Sequence, residues 1–194
     1  NTSKLSDTRR LGEIIGEIRS RGQASLIGAG HQTAVLRSAA YGSPMAEYQD
    51  EMAGVGYYKF IEDLEKNFQE KKDEIVAGLQ NAMAEIIRKD SFMVSYTGER
   101  ESVEQVKALS GALKKSLPES TCEVPEIAIT CRKKNEGFKT SGQVQYVART
   151  GNFVKKGFAY TGALEILKVA LSYDYLWINL RVKGGAYGCM SGFK

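Results

Sequence analysis

Apolar residues recur at helical spacing through the first ninety positions. Leu11, Ile14, Ile15 and Ile18 share one face of a helix that Gly22 is expected to stop. Leu26 to Ala40 reads as a second, interrupted helix with Val35 and Leu36 on its inner side. Ser43-Pro44 is a start signal, Ser as the cap and Pro in the first turn. Met45 to Leu64 carries a dense apolar and aromatic set, interrupted by Gly54 and Gly56. Within it, the band Tyr57, Tyr58 and Phe60 reads more readily as core than as a pocket lining. A long charged helix follows, from about Phe68 to Arg88, with Ile75, Leu79, Met83, Ile86 and Ile87 inside.

The pattern changes after Asp90. Ser91 to Thr97 has the β-branched and aromatic content of a buried strand, broken by Gly98. Val103, Val106, Leu109, Leu113 and Leu117 trace a helix that ends before Pro118. Glu123 to Thr130 looks extended, and Lys133 to Lys139 reads as a polar loop. Gln143 to Ala148 alternates like a half-buried strand. Tyr160 to Val182 is a second long helix pattern built on Leu164, Leu167, Leu171, Tyr175 and Ile178, and Ala186 to Phe193 is a further strand candidate. The expected fold class is therefore α+β: a helical segment over residues 1–90, then a partial two-layer sandwich over 91–194. In that sandwich, helices cover one face of a mostly antiparallel sheet. The last strand candidate reaches the end of the sequence, so the sheet is expected to be incomplete.

Composition narrows the function classes. With 27 basic and 23 acidic residues the net charge is +4, and the charges are interspersed as on solvated helix faces. The one basic cluster, Arg132-Lys133-Lys134, is short and has no interleaved aromatics, so no nucleic-acid interface is expected. No apolar run is long enough to cross a bilayer, and no membrane partner is expected. Cys122, Cys131 and Cys189 leave one thiol over in any pairing and contain no Cys-x-x-Cys, which fits a reducing compartment.

Catalytic sets are missing. The single histidine, His31, cannot build a zinc site or a nucleophilic triad without partners at fitting spacing, and none lie nearby. Gly-x-Ser-x-Gly and the phosphate loop are absent as well. No metal or catalytic residue is assigned to this chain.

One segment remains: Arg181-Val182-Lys183-Gly184-Gly185-Ala186-Tyr187-Gly188. Arginine offers a fixed fork of donors, tyrosine a hydroxyl that donates and accepts, and glycines permit close backbone approach. The combination suits gripping an extended polar partner such as a peptide. It equally suits an arginine that closes a helix C-terminus beside an edge tyrosine. On the residues alone both readings stand.

The same segment resembles the signature of the presequence-protease branch of the insulinase (pitrilysin) zinc metallopeptidases. Asn135 to Val147 resembles a stretch upstream of that signature. Ser25 to Leu64, with Gly30-His31, Leu36-Arg37-Ser38, Tyr41, Ser43 and Tyr57 to Phe60, resembles the helical region before the family's last homologous domain. The resemblance implies four related α+β domains that enclose unfolded peptides, with zinc held by an inverted His-x-x-Glu-His motif in the N-terminal domain. It implies a substrate-binding role for Arg181 and Tyr187, with Gly184 and Gly185 forming the turn between them. The tyrosine would stabilise the oxyanion of the hydrolytic step, an effect of about 2.7–4 kcal/mol per donor in comparable sites. The zinc motif is not in this sequence, so zinc is implied only for the full-length enzyme.

Residues 1–90 are then expected to be the end of the preceding domain with linker helices, and 91–194 the first part of the C-terminal domain. The implied partners are a peptide substrate and the enzyme's remaining N-terminal domains, with self-association of the fragment open. The implied location is the cytoplasm in a bacterium or an organelle matrix in a eukaryote. The alternatives from other classes are a stand-alone binding or scaffold subunit that pairs with an active peptidase, and a plain interaction module.

Overall fold

The structure is a computed structural model that describes residues 5–119, 126–131 and 134–193. The chain divides into two compact units, Asn1–Thr150 and Gly151–Lys194.

The first unit begins with five consecutive helices: α1 (Thr8–Gly28), α2 (Gly30–Ala40), α3 (Pro44–Ala53), α4 (Val55–Lys66) and α5 (Phe68–Ile86). Asp7 caps α1 by accepting from the Arg10 N–H. Gly22 does not stop this helix, contrary to the sequence expectation. A mid-helix glycine costs only about 1 kcal/mol, and a Cβ here would meet the Tyr58 ring in ordinary contact at 3.5 Å. Ser43 caps α3 through the Ala46 N–H at 3.4 Å, with Pro44 in the first turn as expected. The break between α3 and α4 falls at Gly54.

Helices α1, α2, α3 and α4 pack in pairs, α2 on α3, α1 on α4 and α3 on α4. Their buried residues are Ile15, Ala40, Ala46, Val55 and Ile61, together with the fully buried Asp50. Tyr57 and Tyr58 are half-buried, but Phe60 turns outward with 56% of its surface exposed. The aromatic band is thus only partly core. Helix α6 (Val103–Ser116) follows an extended stretch and a short 3-10 turn at Arg100–Ser102.

The second unit consists of a 3-10 turn (Val154–Lys156) and one long helix. That helix starts as α7 (Gly162–Ala170) and continues as a π-helix over Leu171–Val182. Its inward positions are Leu164, Leu171 and Leu176, while Tyr175 and Ile178 stay exposed.

The expected α+β sandwich is not what forms. Among the described residues there is no strand and no sheet, and the architecture is all-helical. The three strand candidates within the described residues (91–97, 143–148 and 186–193) run without regular secondary structure for most of their length. Apolar residues of these segments find little cover: Met93 is 90% exposed, Val147 83% and Met190 74%. Val94 and Tyr96 line one groove with Val103 and Val106 of α6. Tyr146 lies against Gly30 at the start of α2. Ser191 ties the third segment to the long helix, bonding Ser172 at 3.0 Å and donating to the Lys168 carbonyl at 3.3 Å. Without a ladder partner none of the three becomes a strand. The extended reading of Glu123 to Thr130, the start of the Lys133 to Lys139 loop, most of the Arg132 cluster and Cys122 lie outside the described residues, in part or whole.

Candidate functional site

Arg181 sits in the last turn of the π-helix, where a cation is favoured by the helix dipole. Extended π-helix is rare in proteins and π-bulges concentrate at functional sites. The helix closes through the Lys183 N–H, which donates to the Ile178 carbonyl at 3.1 Å, and the Ala186 N–H, which donates to Leu180 at 2.9 Å. Between those bonds the chain reverses at Gly185, whose φ of 72° is the left-handed region. At Gly184 a Cβ would stand 2.8 Å from the Leu180 carbonyl oxygen, closer than real Cβ atoms approach.

The reversal brings the two predicted side chains together. The Arg181 guanidinium lies 5.0 Å from the centre of the Trp177 ring and 5.5 Å from that of Tyr187, within cation–π range of both. Its Nη1 donates to the Ala186 carbonyl at 3.3 Å and to the Tyr187 carbonyl. The donors on Nε and Nη2 have no partner among the described residues, and neither has the Tyr187 hydroxyl. Tyr187 is 91% exposed. The arrangement is an outward tyrosine beside an arginine whose Nε and Nη2 carry three donors with no partner among the described residues.

A second constellation lies in the first unit and was invisible as a site in the sequence. Asp50 in α3 is completely buried. Its carboxylate accepts from the Val55 and Gly56 N–H groups at 3.0 Å each, capping α4, and from Arg37 Nη1 of α2 at 2.6 Å. Arg37 also forks onto Glu136, Nε to Oε2 at 2.8 Å and Nη2 to Oε1 at 3.2 Å. The Tyr41 hydroxyl donates to the same Glu136 at 2.5 Å. The Arg37 hydrogen bonds hold the Glu136 carboxyl down at about 2. Burial, followed by the bond to Glu136, pushes the Tyr41 hydroxyl up to about 12. Arg37 itself is raised further above its already high range, first by Glu136. Both halves of this network fall in stretches that carried the family resemblance, yet only the fold shows that they meet.

His31 stands in the first turn of α2, its ring 6.1 Å from that of Tyr146. Among the described residues no three His, Cys, Asp or Glu side chains come together as a metal site. Cys131 and Cys189 are free thiols. No helix among the described residues is long and apolar enough to cross a membrane.

Two stretches of the chain match known family models. Residues 1–64 match one described as peptidase-associated, for subfamily C of the M-16 peptidases, and residues 135–194 one described as "PreP C-terminal domain". Among curated proteins, Protein HypA of Clostridium perfringens is 36% identical over the whole chain. Presequence protease 1, chloroplastic/mitochondrial, of Arabidopsis thaliana is 26% identical over 98% of it. The mitochondrial presequence protease of Yarrowia lipolytica is 26% identical over 95%. The chain spans about a fifth of the length of these relatives: 20%, 18% and 19%.

Proposed function

We propose that this chain, which is similar to the C-terminal region of presequence-protease-like peptidases, is the substrate-holding part of a metal-dependent oligopeptidase acting on unfolded peptides. In this reading the chain does not cut peptides alone. Its partners are the remaining domains of the same enzyme, which supply the metal site, and the peptide that the assembled enzyme encloses.

The observation that carries the reading is the Arg181–Tyr187 pair. The free Nε and Nη2 donors of Arg181 form the side of the guanidinium fork that can take a peptide carbonyl. Tyr187 presents an exposed hydroxyl beside the Arg181 guanidinium. A hydroxyl donor at that place favours a carbonyl oxygen that gains negative charge over one that stays neutral. Gly184 and Gly185 set the reversal that points the two side chains at one partner.

Tyr187→Phe in the intact enzyme is the clean test, because it removes the hydroxyl and keeps the ring against Arg181. Turnover of an unfolded peptide is expected to fall roughly 100-fold or more, with metal content unchanged. Arg181→Ala is expected to lower kcat/KM by at least about tenfold. Unchanged kinetics in both variants would refute the assignment. The chain by itself, with added zinc, is expected to give no peptide hydrolysis.

One observation favours a second reading. Nη1 of Arg181 is committed to the carbonyls of Ala186 and Tyr187, as an arginine that merely closes a helix would be. If so, Arg181→Ala lowers the melting temperature and Tyr187→Phe leaves activity intact.

A further inference from the structure

Residues 134–150 cross the helices of the first unit as an irregular chain, and among the described residues no backbone–backbone hydrogen bond joins them to α1, α2, α3 or α4. They are held by side chains at spaced points. Glu136 takes the Arg37 fork and the Tyr41 hydroxyl. The Phe138 ring lies 5.1 Å from Lys59 Nζ of α4. Tyr146 rests on Gly30, and Thr150 donates to the Ser38 carbonyl at 2.6 Å. Only the first of these anchors is a charge-assisted, two-pronged pair, the strong kind.

The receiving side does not depend on the strap. Arg37 is 12% exposed and is gripped by Asp50, which also caps α4, so the guanidinium keeps a partner and an orientation when Glu136 leaves. We propose that residues 134–150 form a releasable strap on the helical unit, latched by Glu136 in a socket that Asp50 keeps ready. Arg37, Tyr41, Asp50 and Lys59 fall in the stretch that matches the peptidase-associated family model. Glu136 falls in the stretch that matches the PreP C-terminal model. The latch thus fastens the start of one family module to the face of the other. It involves neither Arg181 nor Tyr187, so its failure and that of the peptide-holding reading are separable.

Proteolysis of a fast-opening segment tracks the fraction of time it is open, and Lys139 lies between the Glu136 and Tyr146 anchors. In the intact protein, Glu136→Gln is expected to raise the rate of tryptic cleavage after Lys139 roughly tenfold, the effect of losing one charge-assisted pair. Cleavage after Lys66 in α4, away from every anchor, serves as the control and is expected to stay as slow as in the wild type. Tyr41→Phe removes one donor and no charge, and should give a smaller rise. The proposal is overturned if neither variant speeds cleavage after Lys139, or if the wild type is already cut there as fast as an unfolded peptide. It is also overturned if either variant loses the circular-dichroism signal of the helices, because Glu136 would then be part of the fold.

Discussion

Glu136 and Tyr41 give the latch a defined response to pH. The Glu136 carboxyl drops from its ordinary 4.5 to about 2, so the folded state binds its proton less readily than the unfolded one. Its stabilising contribution is complete above 4.5 and is lost as the pH falls through 2. Tyr41 moves the opposite way, from 10.0 to about 12, so its contribution is complete below 10 and is lost as the pH rises through 12. The groups facing Glu136 are Arg37, Tyr41 and Lys59, with Asp50 behind Arg37. Urea midpoints of wild type and Glu136→Gln are therefore expected to differ by a constant amount above pH 4.5 and to converge toward pH 2. A difference that persisted at the acid end would mean that the charge on Glu136 is not what the protein loses. Gly185 makes a separate prediction: a side chain in left-handed backbone costs about 1–2 kcal/mol. Gly185→Ala is thus expected to lower stability by that amount in a denaturant titration.

Helices carry their own expectations. Asp50→Ala removes the cap of α4 and the buried partner of Arg37 together, and breaking a buried pair costs about 3–5 kcal/mol. The midpoint of urea unfolding should fall accordingly, far more than for Ser43→Ala, where one cap hydrogen bond is worth about 1 kcal/mol. The helices were legible in the sequence because period and capping residues are local: Ser43-Pro44 at α3, the Ile14–Ile15–Ile18 face of α1, the long charged run of α5. The extended segments were not legible as to partner. Alternation in 143–148 announces an apolar face, but only the fold decides whether that face meets a strand or, as with Tyr146, a helix. The same holds for the sites. The Arg181–Tyr187 pair could be suspected from neighbours six residues apart, whereas the Arg37–Glu136 bond joins positions 99 apart. Glu136 sits in a run of unremarkable polar residues, and nothing local marks it as the partner of Arg37.

Across the whole molecule, much large apolar surface stays in water. On the long helix of the second unit, Ile166 is 74% exposed, Tyr173 68% and Val182 62%. A helix that is apolar around most of its circumference is ordinarily an interior helix. The chain produced alone is therefore expected to self-associate. Its single tryptophan, Trp177, lies on that helix at 45% exposure. Its emission should shift to the blue as concentration rises, in step with the sedimentation coefficient, whereas an emission maximum independent of concentration would show these surfaces staying hydrated. Asp50, finally, has a consequence for how the first unit comes apart. One carboxylate on α3 starts α4 and restrains α2, so none of the three can fray without exposing a buried charge. Amide exchange in α2, α3 and α4 should then share a single opening free energy, one cooperative foldon, while α5, which contributes no buried residue, exchanges independently of it.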